Sequence, residues 1–511
     1  MNTRPARLGT LPLLLCVVLA LAAFVSPPGA QARPAPDSGK AAAASSPQAR
    51  AALDRAQGVL SGRLRGDATM ALRRLALTKS ALTGADRAAA DRILARPSDP
   101  GDDDSYGANP VTTTCSATVC VHYTTTGDEA STAQFAASTL AEASAVNDTY
   151  VAAGYRAPKP DGIQGGNSLP DVYLAEIGDK GLYGYCTTQD DVPPTGPFDV
   201  SAYCVVDNDY SSDEFPTNTP LENLQVTVAH EYFHAVQYAY DVYEDSWFLE
   251  ATAAWVEDIL YDDVDDNLQY LADSPLKTPR ASMDQFNANN GFHYGVWIFF
   301  RYLSEKYPTA QAGMPTIVRD IIRRTDGAAG GPDDYSWQAI DQVLRLRGSN
   351  AAQAFALFAD ANRRPGTTYS EGAVNRYPQA PLGSFRAKSG WYVTTIDHLA
   401  SATGRFTPAR RGSKLRISVD LADKVSSPAA IVSVYLKSGA VSTSAISLNS
   451  KGNGAKTVAF ARSKVTSVEV TLVNGSGRFR DCYSGVTPFS CGGAIPLDDN
   501  RVSKVSAAIL R

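Results

Sequence analysis

At 511 residues the chain has room for roughly three domains and a large buried core. Its 44% hydrophobic and 20% charged residues are those of an ordinary globular protein. A net charge of −6, from 53 acids against 47 lysines and arginines, leaves no basic surplus and argues against nucleic acid as a main partner.

Residues 1–32 have the pattern of a signal peptide: Arg4 and Arg7, an apolar run over residues 11–25, then Ala30-Gln31-Ala32 as the cleavage site. The run is too short to span a bilayer, so the expectation is a secreted protein with no stable membrane anchor. Removing it takes lysines plus arginines from 47 to 45 against 53 acids, a net charge of −8. Six cysteines then remain, an even number that reads as disulfides in an exported chain. Six allow about fifteen connectivities. The spacing suggests three local loops, Cys115–Cys120, Cys186–Cys204 and Cys482–Cys491.

Residues 33–104 form an Ala- and Arg-rich arm. Leu53, Ala56, Leu60 and Leu64 keep helical spacing, as do Leu72, Leu75 and Ala76, before Pro97, Pro100 and Asp102, Asp103 and Asp104 mark an acidic linker. Two readings stand: a removable prosegment or a permanent helical extension. From residue 105 the texture changes. Residues 119–123, 171–177 and 202–206 read as strands and 131–154 as an Ala-rich helix, together a small sheet with a helix beneath it.

Residues 221–258 carry the chemistry. His230-Glu231-Tyr232-Phe233-His234 is an HExxH motif in a chain with five histidines. On a helix the two imidazoles project from one face and can hold one Zn²⁺, with Glu231 beside them as general base. Thr219 as cap, Pro220 at the first position and Glu222 in the first turn predict where that helix begins. Catalytic zinc takes three protein ligands and keeps one position open. The best third ligand is Glu250, in Trp247-Phe248-Leu249-Glu250.

This stretch, HEYFHAVQ followed by WFLEATAAWVED, resembles the gluzincin clan of zinc metallopeptidases, and more closely a bacterial family of secreted metalloproteases of that zincin type. The resemblance implies His230, His234 and Glu250 as zinc ligands and Glu231 as general base. Thermolysin-like members place a carboxylate four residues after the glutamate ligand, where this chain has Ala254. Glu257, on the same helical face, can instead orient a histidine; a solvated helix edge formed with Asp258 is the other reading. In the resembling family a Tyr-Gly pair opens the next helix, matched by Tyr294-Gly295. Tyr294 or His293 can donate to the oxyanion of a tetrahedral intermediate, unless Tyr294 simply packs. His293 is a rival ligand, whereas His122 and His398 read as structural.

Residues 296–307, 316–324, 337–347 and 351–362 carry apolar helical stripes, with Trp297, Phe300 and Leu303 as core. From residue 385 two-residue alternation at 415–421, 431–436 and 468–473 predicts a β-sandwich. The expected class is therefore α+β. A signal peptide (1–32) and the arm (33–104) precede a zincin-like domain (105–382) with a small sheet, an active-site helix and a helical lower half. A C-terminal β-sandwich (385–511) follows. Acidic loops at 102–104, 207–209 and 262–267 offer carboxylates for structural Ca²⁺ or simply face solvent; none has EF-hand spacing. The expected activity is zinc-dependent hydrolysis of a peptide or protein substrate. The alternative is a non-catalytic zinc-containing protein on the same scaffold. The nucleophile elbow G-x-S-x-G and the P-loop do not occur in supporting context.

Overall fold

The computed structural model describes residues 46–101, 104–286, 290–408, 412–482 and 487–510. The expected signal segment lies outside them, as do Asp102 and Asp103. The protein is mixed α+β, with several sheets and a β-rich C-terminal region.

The arm folds as three helices, α1 (Ser46–Leu60), α2 (Ala68–Thr78) and α3 (Gly84–Ile93). Leu53, Ala56 and Leu60 are buried as their spacing predicts, but the helix ends before Leu64, which is exposed. Asp67 caps α2 by accepting from Met70 N at 2.7 Å. A five-stranded sheet follows, with α4 (Ala133–Ala152) between its second and third strands. Its strands are β1 (Val111–Cys115), β2 (Cys120–Thr124), β3 (Asp171–Ala175), β4 (Gly184–Thr187) and β5 (Tyr203–Asp207). Their spatial order is β1-β2-β3-β5-β4. β2, β3 and β5 run parallel, and β4 is an antiparallel edge strand.

Both faces of the sheet are covered. Val172, Leu174 and Val206 pack toward α4 and the helix after β5, whereas Tyr173, Ala175, Tyr185, Tyr203 and Val205 pack under the arm. Strands buried on both faces read as near-continuous apolar runs, as in Tyr203-Cys204-Val205-Val206. Arg96 fastens the arm: it is buried, paired with Asp161 at 2.6 Å and with Asp171, and lies over the Tyr203 ring at 4.9 Å. Asp104 is likewise buried and paired with Lys180, not solvated.

The helix α5 (Pro220–Tyr238) starts where the sequence predicts. Thr219 N donates to Glu222 Oε2 at 2.8 Å and Glu222 N to Thr219 Oγ1 at 3.3 Å, a reciprocal capping box. From Val226 to its end the helix is buried. Phe233 meets the Tyr150 and Tyr155 rings edge-on at 5.1 and 5.4 Å, and burying such a side chain stabilises by about 2–3 kcal/mol. α6 (Ser246–Leu260) crosses beneath it.

A helical part continues with α7 (Phe292–Gly295), α8 (Trp297–Lys306), a two-residue hairpin of β6 (Ala310–Gln311) and β7 (Met314–Pro315), then α9 (Thr316–Ile322), α10 (Ser336–Arg345), α11 (Ala351–Ala361) and α12 (Pro365–Thr368). Trp297, Phe300 and Leu303 are core, as expected. Gly295 is required by packing, since a Cβ there would stand 2.4 Å from the Asp273 carbonyl.

The C-terminal region holds β8 (Gly383–Phe385), β9 (Lys388–Ile396), β10 (Ala400–Phe406), β11 (Lys414–Asp420), β12 (Pro428–Leu436), β13 (Val441–Ala445), β14 (Asn453–Ala459), β15 (Val465–Asn474) and β16 (Arg501–Leu510). One sheet is ordered β13-β12-β15-β10-β8 and the other β14-β11-β16-β9. Their alternating inward residues, among them Val432, Val470, Ile417 and Val505, share one core. Glu469 ties this region to the helices through buried Arg363 at 3.1 Å. Asp245, at the start of α6, accepts from Cys491 N at 2.7 Å, and Trp247 Nε1 donates to Ser490 Oγ at 2.9 Å. The disulfides are Cys115–Cys120, Cys186–Cys204 and Cys482–Cys491, three local loops. No helix among the described residues is long and apolar enough to cross a membrane.

Candidate metal centre

α5 and α6 bring His230, His234 and Glu250 together, all buried, with one ligand atom of each within 4.8 Å of the others. His230 Nε2 lies 3.1 Å from Glu250 Oε2, and His234 Nε2 lies 3.3 Å from Glu250 Oε1. The far side of each ring has its own acceptor. His230 Nδ1 meets Glu257 Oε1 at 2.5 Å and His234 Nδ1 meets Gln237 Oε1 at 2.7 Å. Carboxylate and amide oxygens only accept, so both Nδ1 atoms carry hydrogen and both Nε2 atoms turn to Glu250.

Glu250 can likewise only accept. A cation must therefore sit between the rings and the carboxylate, either a proton on an imidazole or a metal ion. Burial alone would lower the His230 pKa, but hydrogen bonds to Glu250 and Glu257 hold it well above its ordinary value. Burial would raise Glu250, but the two imidazoles bring it well below the usual carboxylate range. His234 Nε2 and Glu250 Oε1 are buried and lack a hydrogen-bond partner.

Glu231 stands next to His230 in sequence and points toward the sheet. Gly184 of β4 makes room for it: a Cβ there would come within 2.9 Å of Glu231 Cγ. Burial pushes the Glu231 carboxyl up, against the pull of His230 and His234. Its Oε2 accepts from Thr69 Oγ1, on α2, at 2.9 Å. Glu257 is buried, not a solvated edge, and desolvation pushes it up to about 7. Its neighbour Asp258 is buried as well and pairs with Arg301 at 2.5 Å.

The Tyr294 ring is half-buried, 5.9 Å from His230 and stacked on Tyr270 at 4.9 Å. Desolvation, reinforced by Asp67 and Glu250, pushes its hydroxyl well above its ordinary pKa and keeps it a donor. His293 is buried, its ring 4.3 Å from that of Tyr294 and its Nε2 3.7 Å from Asp67 Oδ2. It is not one of the three converging side chains.

Sequence reasoning missed Gln237, Thr69, Asp67 and Gly184. Gln237 alone had a local signal, three residues after His234 on the same helical face.

Two acidic groups also have ligand-like spacing, Glu176 with Asp207 and Glu214, and Asp258 with Asp262 and Glu371. Asp207 already accepts from the amides of Tyr210 and Gly178 at 2.6 and 2.8 Å, and Arg301 pairs with Asp258, Asp262 and Glu371. Distant His122 bonds Asp171 at 2.7 Å, and His398 lies buried 3.4 Å from Asp284.

No protein-family model and no curated protein matches the chain. Among solved structures, the pre-peptidase C-terminal domain of a collagenase from Bacillus anthracis matches at 9% identity, over 25% of this chain and 96% of that one, with a TM-score of 0.17. CorA, a surface-associated copper-binding protein of Methylomicrobium album BG8, matches at 12% identity over 25% and 98%, TM-score 0.15. A family GH115 4-O-methyl-alpha-glucuronidase matches at 8% over 59% and 43%, TM-score 0.14. Likenesses at these TM-scores carry no argument about this chain.

Proposed function

We propose that this chain is a secreted zinc metallopeptidase of the zincin type, similar to gluzincins. The reading rests on one observation: two buried imidazoles and a buried carboxylate converge through atoms that need a cation between them, with Glu231 on the same helix turn. The donor set of two His and one Glu is that of catalytic zinc sites, and a carboxylate and an amide behind the histidines set the tautomers such a site needs. The surrounding layout supports it too, with an antiparallel edge strand, β4, beside the helix and a helical part on the other side. Three disulfides are compatible with export. Structural Ca²⁺ at the acidic loops is the weaker half of the cofactor proposal, because protein donors and Arg301 already engage those carboxylates.

His230, His234 and Glu250 would hold the zinc. When bound, zinc supplies Lewis acidity that polarises a carbonyl and acidifies water. Glu231 takes the proton of the attacking water and delivers it to the leaving amine. An extended peptide would lie along β4, adding backbone hydrogen bonds to the edge that does not pair with β5. Tyr294, held protonated, donates to the oxygen that gains charge.

Metal content by mass spectrometry tests the reading. One zinc per wild-type chain, lost or weakened in Glu250→Ala, is expected. No zinc in wild type after supplying it would overturn the reading. A second reading, a non-catalytic zinc protein, is favoured by the arm lying over Glu231. It predicts zinc without hydrolysis whether or not the arm is in place.

A further inference from the structure

We infer that the N-terminal arm is an internal inhibitor of this centre, acting through Asp67 and Thr69 at the start of α2. The inference rests on the metallopeptidase reading and deepens it by naming how the site is regulated.

Thr69 Oγ1 does two things at once. It donates to Glu231 Oε2 at 2.9 Å and accepts from the amide of Cys186 at 3.0 Å. Cys186 lies in β4, opposite Cys204 of β5. Its amide donates to the arm and not across the ladder, so Thr69 sits on the edge that an extended substrate would use. The same hydroxyl occupies the carboxylate that must meet the attacking water. Thr69 is 3% exposed and Glu231 7%, so the contact keeps bulk solvent out.

Asp67 supplies the second observation. One carboxylate oxygen is spent on the helix cap. The other, Oδ2, is buried without a hydrogen-bond partner, 3.7 Å from His293 Nε2 and within the field of Glu250. Burial, then the field of Glu250, push the Asp67 pKa up, and the group facing that oxygen is the His293 ring. Asp67 thus holds the start of α2 against the His293 side of the centre while the arm is in place.

A segment serving only as a cover for the sheet needs apolar contacts, which α1–α3 make with Tyr173, Tyr185 and Tyr203. It has no need of a hydroxyl on the general base. Arg73 latches the plug from the other end of the turn, donating to the carbonyl of Val242 at 2.5 Å and to that of Glu244. These carbonyls belong to the link between the two ligand-bearing helices.

The test uses the full secreted chain loaded with zinc, in wild type, Asp67→Asn, Thr69→Val, and a form with a specific protease site engineered at Pro100–Gly101. Asn keeps the helix cap without the charge, and Val keeps the shape of Thr without the hydroxyl. Zinc transfer to a chromogenic chelator is timed, and hydrolysis of a mixed quenched peptide library is followed. The expectation is slow transfer and little hydrolysis in wild type. Thr69→Val should release zinc about tenfold faster or more, as expected for losing one buried hydrogen bond to a charged group, and Asp67→Asn, which loses no hydrogen bond, should release it faster by less. Cutting the arm should raise both rates. Zinc-loaded wild type that hydrolyses peptides fully with the arm intact would overturn the inference. So would release rates unchanged in both variants and after the cut, and the zinc reading would survive either result. Wild type that never takes up zinc would overturn both. Should a variant fail to fold, the cut chain decides alone.

Discussion

Gln237 stands one turn after His234 on α5 and accepts from its Nδ1 at 2.7 Å, while its own amide donates to Leu249 O and Thr252 Oγ1 on α6, each at 2.9 Å. One side chain therefore sets the tautomer of His234 and the spacing between the two helices that carry all three proposed ligands. Gln237→Leu removes both functions and strands His234 Nδ1. Zinc affinity should fall about 10–100-fold, read by competition with a chelator of known affinity. Unchanged affinity would show that packing alone holds the helices in place.

Glu257 performs the matching task for His230 from α6. Glu257→Gln keeps an acceptor for Nδ1 and should weaken zinc less than Glu257→Ala, which leaves the ring unheld; the latter should cost about 10–100-fold in affinity. Equal losses in the two variants would point to charge, not orientation.

Glu231→Gln should keep zinc and lose hydrolysis by about 10²–10⁴-fold, since a general base is removed while the ligands stay. Activity is measured on the arm-cut chain alongside zinc content. Full activity would end the assignment of Glu231 as the base.

Glu469 joins Arg363, Arg405 and Tyr435 where the C-terminal sheet meets α11. Glu469→Ala leaves Arg363 buried without its counter-charge and should destabilise by about 3–5 kcal/mol in denaturant unfolding. A loss under 1 kcal/mol would mean that water reaches the cluster.

A pH effect is expected away from the centre. Glu129 and Glu176 are both pushed up to about 7, chiefly by burial. A carboxyl that holds its proton more tightly when folded costs nothing below its ordinary value of 4.5. Its stability contribution falls as pH rises from there to about 7, then levels. Glu129→Gln removes the titration yet can still accept from the Glu176 amide, as Glu129 does at 2.7 Å. Its melting temperature relative to wild type should climb across that window; a flat difference would contradict the assignment.

The part of the centre carried on α5 was legible because every cue was local: the cap, the Pro, the apolar stripe and the HExxH spacing all lie within residues 219–238. Glu250 was within reach for the same reason, sixteen residues on. β4 was not read, being four residues that start with a Gly and are fixed by pairing with β5. Thr69 meets Glu231 across 162 residues, and nothing near Thr69 marks it as other than a helix residue. β3 and β5 were visible as strands, but not that a second layer would cover the face bearing Tyr173 and Tyr203.

Asp245, which anchors the start of α6, takes one of its hydrogen bonds from a residue 246 positions further along the chain. While the protein is being made, the helix bearing Glu250 therefore emerges long before the Cys482–Cys491 loop that braces it. Until that loop is made, Asp245 has Tyr335 and Ser336 as donors but lacks the Cys491 amide. The helix that carries Glu250 is thus braced last by the far end of the chain, and its start gains its final two hydrogen bonds only when residues 490 and 491 have been added.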